Sequence, residues 1–314
     1  MKKFYVYVII GLSMLVQTNA ENNPLLSPFN TPYNVPPFEK IKSSDFIPAM
    51  NEAIKIHKNE IQSIIEDKNA PTFENTIESF EYSGELLNQI ATVFFNLNSA
   101  NTNDEMQNAA KVIAPMLSKH SDEILQNPKL FEKVKSVYDK RNSLNLNTEQ
   151  FRLLDKTYKA FIKSGANLDE KKKARLADIN QRLSVLELKF ADNVLAETSN
   201  FKLVLEKQED LAGLPQQFID GAAETAKEMG MSGKWVVTLH NPSLIPFLQY
   251  SSRRDLREKI WRAYSNRGNN GNEYDNNEVI IEIVNLRLER AQLLGYKNHA
   301  EYRLDDAMAK TPEN

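Results

Sequence analysis

Leu176, Ile179, Leu183, Leu186, Phe190 and Val194 step by three or four residues, the spacing that gathers them on one face of an α-helix and on no face of a strand. A stripe of that length has to be buried against other helices, and the same period recurs along most of the chain. Glycine agrees with it: only 10 of 314 residues are glycine, where an average share of about 7% would give roughly twice as many. The chain reads as all-α, mainly helical with one small β pair.

Pro24, Pro28, Pro32, Pro36 and Pro37 fix φ and remove backbone donors, so 21–43 reads as an extended Pro-rich arm. Helix is expected from Ser44, as N-cap, to Asp67, and again from Thr72 through Phe73, Ile77, Phe80, Leu87, Ile90, Val93 and Phe94. Further helices are expected over 104–125, 129–141, 148–164, 215–229, 242–250, 254–266 and 275–294. The alternating segments 201–205 and 235–239 read as an antiparallel pair, and Gly268-Asn269-Asn270-Gly271 as the loosest loop. On the helix at 275–294, Val279, Ile280, Ile283, Leu286 and Leu293, with Ile281 and Val284 beside them, make a stripe too wide for one covered side.

Several classes of chemistry are closed. A net charge of −3 offers no cationic excess for a phosphate backbone, so no nucleic-acid partner is expected. Lys171, Lys172, Lys173 and Arg175 interleave with Asp169, Glu170 and Asp178 as a solvated face. Without cysteine there is no disulfide, thiolate zinc site or thiol nucleophile. Lys2 and Lys3, the apolar run from Phe4 to Val16 and the small Ala20 have the layout of an export signal over 1–20. The run is short of the roughly 20 residues that span a bilayer. The mature chain is therefore expected to be exported, periplasmic or secreted, with no stable membrane insertion after signal cleavage.

No motif for catalysis stands in the sequence. H-E-x-x-H is absent, and His57, His120, His240 and His299 lie too far apart to chelate from one helix turn, so each is expected to be a surface or hydrogen-bonded structural residue, and only assembly from separate elements of the fold would make a site of them. G-x-S-x-G and the phosphate-binding glycine loops are absent too. Arg253, Arg254 and Arg257 could clamp a carboxylate, but the pairs Arg254 with Glu258 and Asp255 with Lys259 fit ordinary helix pairing. Phe73, Phe80, Phe94 and Phe190 fall on apolar stripes as core candidates. Thr311-Pro312-Glu313 reads as the start of a further helix.

A set of segments, taken in order, resembles one family. These are Pro36-Pro37-Phe38, Ile41 and Asp45-Phe46-Ile47-Pro48-Ala49, then Pro71-Thr72-Phe73-Glu74-Asn75-Thr76-Ile77 with Ser83-Gly84. Trp235-Val236-Val237-Thr238-Leu239, Pro246-Phe247-Leu248, Arg254-Asp255-Leu256-Arg257 and Ala263-Tyr264 follow. Ala291-Gln292-Leu293-Leu294-Gly295-Tyr296 and Met308-Ala309-Lys310-Thr311-Pro312-Glu313 complete the set. Together they resemble the M3 family of zinc metallopeptidases, in its peptidyl-dipeptidase Dcp and oligopeptidase A branch, over the N-terminal half of that family.

The resemblance implies the helical N-terminal lobe of a neurolysin-like fold over 44–314, one wall of a channel that admits oligopeptides. It implies a cut before the zinc-binding catalytic domain, zinc in the complete enzyme with its ligands outside this chain, and release of C-terminal dipeptides. The missing C-terminal catalytic lobe is the implied partner, and no catalytic, cofactor-binding or metal residue carries over onto 1–314. The alternative is a standalone, non-catalytic helical peptide-binding protein.

Overall fold

The computed structural model describes residues 23–314; the expected signal at 1–20 lies outside them. The arm is extended only in part. Single 3-10 turns form at Pro24–Leu26 and Pro32–Asn34, where a proline at the first turn position needs no amide partner. The Asn23 side chain accepts from Leu25 N at 3.0 Å and donates to Asp45 O at 2.7 Å, which ties the arm down over a fully buried Leu25.

Helix α1 (Phe46–Glu66) starts after a 3-10 turn at Ser43–Asp45, and the Asp45 carboxylate accepts from Lys42 N at 2.8 Å. Ser44 is therefore inside that turn and is not the cap. The single helix expected from Thr72 to Phe94 is broken. A π-helical turn (Phe73–Glu78) and one further helical turn (Ser79–Glu81) precede α2 (Glu85–Ala100). The break falls at Gly84, whose φ of 74° is left-handed and whose N–H donates to Glu60 Oε2 at 2.7 Å.

Helices α3 (Asp104–Leu125), α4 (Pro128–Asp139) and α5 (Thr148–Lys163) follow, each begun by an asparagine whose side chain accepts from the first-turn amides: Asn103, Asn127 and Asn147. Helix α6 (Glu170–Asn200), strand β1 (Leu203–Leu205), α7 (Gln216–Glu228), strand β2 (Trp235–Val237), α8 (Asn241–Tyr250), α9 (Arg254–Ser265) and α10 (Asn277–Leu293) complete the expected order. A short α11 (His299–Leu304), capped by Asn298, was not expected.

Two compact units divide the chain. The first comprises the described residues up to Val185 together with Leu286–Asn314. In it α1 packs on α2, α3 and α4. Phe46 meets Phe94 edge-on at 5.0 Å, and Phe73, Ile77, Leu130, Val134, Leu154 and Phe161 form a buried cluster. Each such side chain contributes about 1.5–3 kcal/mol through burial.

The second unit is Leu186–Asn285. Its strands are antiparallel, with Leu203 opposite Val237, Val204 opposite Val236 and Leu205 opposite Trp235. Leu203, Leu205 and Val237 meet Leu244, Phe247 and Ile260 in its core. Along α6 the buried face changes character. Leu176, Ile179, Leu183 and Leu186 are buried, but Phe190, expected in the core, is 38% exposed, and the buried positions after it are Asn193, Glu197 and Thr198.

Those polar residues hold the loop before α10. Glu197 accepts from the Gly268 amide and from the side chains of Asn270, at 2.9 Å, and Asn272, at 2.7 Å. Asn193 donates to Asn276 at 2.9 Å. The loop expected to be loosest is thus pinned by a buried carboxylate.

Candidate functional site

His57 stands on α1 and His120 on α3, and the fold brings together what the sequence keeps apart. Nε2 of His120 lies 3.0 Å from Nδ1 of His57, with the rings at 70°. On the far side of His57, Ser83 Oγ lies 3.2 Å from Nε2 and donates to Phe80 O at 2.7 Å. Two histidines expected as separate structural residues therefore form a pair.

The proton positions follow. Ser83 has one hydroxyl hydrogen, and 2.7 Å to a carbonyl oxygen places it there. Nε2 of His57 must then donate to Ser83, which leaves Nδ1 of His57 bare to accept the Nε2–H of His120. Nδ1 of His120 is a buried lone pair without a partner. Burial lowers the pKa of His57 against the pull of Glu60. Burial, His57 and Lys58 lower that of His120 to about 4, against Glu123. Both rings are neutral at neutral pH.

This directionality argues against nucleophilic chemistry at Ser83. His57 presents no lone pair to the hydroxyl, and the next backbone amide, of Gly84, already donates to Glu60. The pair instead lines a cleft of about 360 Å³ with Phe80, Leu87, Leu117 and Ile124.

The other two histidines have neighbours of their own. His240 Nδ1 lies 3.2 Å from Thr238 Oγ1 just before α8, and His299 opens α11 with its ring 6.0 Å from that of Tyr302. Among the described residues no group of three or more His, Cys, Asp or Glu side chains is placed to hold a metal. His57 and His120 supply two ligands where a zinc site takes three or four, so the residues present do not fit a peptidase zinc.

The arginine cluster is not a free clamp. Arg253 is paired with Asp210 and, through two nitrogens at 3.0 and 2.7 Å, with Asp255. Arg257 donates to Ser251 O, and Glu258 accepts from Arg262 at 2.8 Å rather than from Arg254. The acid that closes this arrangement, Asp210, comes from the loop after β1 and was invisible to helix spacing.

Within the second unit, α7 and α8 border a cleft of about 630 Å³ lined by Pro215, Phe218, Ala222, Pro242, Pro246 and Tyr250. Thr225 and Ser243 line it as well, and the mainly apolar lining suits an apolar side chain of a peptide. Asp122 was also missed by sequence reasoning. Its Oδ1 accepts from Asn180 at 2.8 Å while Oδ2 is buried without a partner. Burial pushes its carboxyl up to about 6 despite Asn180 and Arg290.

Comparison with known proteins supplies the family. The sequence profile of Peptidase family M3 matches residues 247–314. The dipeptidyl carboxypeptidases of Salmonella typhimurium and Escherichia coli are each 35% identical over 93% of this chain. The oligopeptidase A of Escherichia coli is 32% identical over 93%. The chain belongs to peptidase family M3. It spans 43% of the length of each of these relatives. The mainly helical architecture expected for the family's N-terminal lobe is the one observed, with a single two-stranded sheet among the described residues. No helix among the described residues is long and apolar enough to cross a membrane.

Proposed function

We propose that this chain is the helical, peptide-facing part of an exported M3 metallopeptidase that hydrolyses oligopeptides and releases C-terminal dipeptides. The observation that carries the reading is similarity along 93% of the chain to dipeptidyl carboxypeptidases, at 35% identity against 32% for an oligopeptidase A. Zinc belongs to the complete enzyme, on residues outside this chain. The export signal at 1–20 supports a periplasmic or secreted location. The cleft between α7 and α8 is a site where this chain itself would hold a substrate side chain.

The coding DNA beyond the codon for Asn314 tests the reading first. A continuing frame that encodes H-E-x-x-H supports it, and a stop codon followed by an unrelated gene overturns it in favour of a short peptide-binding protein. Expressed in full, the enzyme should release dipeptides from an oligopeptide with a free carboxyl terminus and spare the amidated form. Cleavage of both forms at internal bonds would contradict the dipeptidase mode.

A further inference from the structure

We propose that the cleft between α7 and α8 is a recognition pocket for an aromatic side chain of a peptide, with Gly221 as its floor. The proposal deepens the oligopeptide reading and rests on it for the ligand being a peptide. Phe218, Gly221 and Thr225 share one face of α7, as Pro242, Pro246 and Tyr250 share one face of α8, so both walls are regular helix. Gly221 is the unusual position. It lies inside α7, where glycine is the least favourable residue after proline. A Cβ added there would meet nothing within 4 Å outside its own helix, so no neighbouring element of the fold requires a glycine. Its carbonyl is satisfied, since Thr225 Oγ1 donates to it at 2.9 Å. What the missing side chain leaves is a bare strip of helix against which a flat group can lie.

The lining selects the group that enters. Among the described residues around the cleft none carries a charge at neutral pH, so a ligand ammonium or carboxylate would lose water and gain no partner. The walls are rings: Pro215, Pro242 and Pro246 with Phe218 and Tyr250. Proline loses no rotamer freedom when covered, and Phe and Tyr have only two torsions to fix. Phe218 is already steadied by Phe247 of the core, with ring centroids 6.2 Å apart. Against such walls an aromatic ring gains face and edge contacts that an aliphatic chain of equal area does not. Two polar groups at the cleft are uncommitted. Ser243 Oγ accepts from Thr238 N at 3.0 Å and has no acceptor for its own proton among the described residues, and the Gln217 carboxamide makes no hydrogen bond among them. They are free to take the peptide carbonyl and N–H that flank the aromatic residue.

The test is calorimetric titration of the full chain with tripeptides acetyl-Ala-X-Ala-amide, blocked at both ends so that neither a free carboxyl terminus nor hydrolysis enters the readout. The expected result is saturable binding where X is phenylalanine, at least about tenfold tighter than with alanine and about threefold tighter than with leucine. Lysine and aspartate peptides should show no saturable binding. Gly221→Leu, which fills the floor without a clash and raises helix propensity, should weaken the phenylalanine peptide by at least about tenfold. Gln217→Ala should weaken it by about two- to tenfold. Glu228→Leu, exposed on α7 and outside the cleft, should change nothing. The side-chain series on the unmodified chain decides the matter even if a variant unfolds. No saturable binding of the phenylalanine peptide, equal affinity for the leucine or lysine peptide, or full affinity in folded Gly221→Leu overturns the proposal. A complete enzyme that releases dipeptides while this chain ignores the blocked peptides overturns the pocket alone. Blocked aromatic peptides that bind here while the complete enzyme hydrolyses none support the pocket and overturn the peptidase reading alone.

Discussion

A Cβ placed on Gly84 would stand 2.8 Å from Cε1 and 2.9 Å from Nδ1 of His57, so the glycine is the surface on which the imidazole rests. Its φ of 74° already excludes an ordinary side chain at low cost. Gly84→Ala should therefore destabilise the protein by about 2–4 kcal/mol, from left-handed strain and overpacking together. Urea denaturation measures this, and a loss under about 1 kcal/mol would show that the ring can move aside.

Asp122 and His120, two residues apart on α3, act on stability in opposite directions with pH. The folded Asp122 carboxyl titrates at about 6 against 3.8 ordinarily, so between those values only the native state holds the proton. Stability from this group falls as pH rises from about 4 to about 6. His120 titrates at about 4 against 6.5, so its contribution is lost as pH falls from 6.5 to 4. Asp122→Asn keeps the acceptor for Asn180 and removes the first effect. It should gain roughly 1–3 kcal/mol above pH 7 and lose stability more steeply on acidification. Chemical denaturation from pH 4 to 8 tests this, and parallel profiles for the two proteins would contradict it.

Glu197 is 8% exposed, and burial alone would raise its pKa, yet hydrogen bonds from Asn270, Gly268 and Asn272 hold it below the usual carboxylate range. Glu197→Gln turns an acceptor into a donor that faces donors and should cost about 1–3 kcal/mol. Limited proteolysis should then cut the loop over 268–276 first, whereas the parent resists there. Equal cleavage rates in the two proteins would mean the loop is held by something else.

The helices and the two short strands could be read from apolar periodicity, because core residues such as Leu176 and Phe94 are apolar and recur at helical spacing. The loop at Gly268 could not, since what holds it is Glu197, a carboxylate some 70 positions away that periodicity counts as solvent-facing. The same blindness hid the pairing of His57 with His120, which depends on α1 and α3 packing side by side. Ser83-Gly84 stands out in the sequence as part of a family-like segment, but that its glycine breaks the helix follows only from the positive φ and the Glu60 carboxylate on its amide.

The wide stripe expected on α10 divides as its width implies. Val279 and Ile283 are buried, while Ile280, Ile281 and Val284 are 44%, 54% and 59% exposed. A contiguous exposed apolar face promotes association. Replacing Ile281 and Val284 with lysine should leave stability within about 0.5 kcal/mol per site and reduce self-association in sedimentation velocity. An unchanged distribution of species would remove this face as the cause.

The most direct test of where the proposed peptidase chemistry resides is mass spectrometry of an oligopeptide with a free carboxyl terminus, incubated with this chain and zinc chloride. Because the chain carries no H-E-x-x-H and its paired histidines offer only two ligands, the peptide should remain intact over a long incubation. Release of C-terminal dipeptides that stops on addition of a chelator would contradict this, and would place a working zinc centre among residues 1–314.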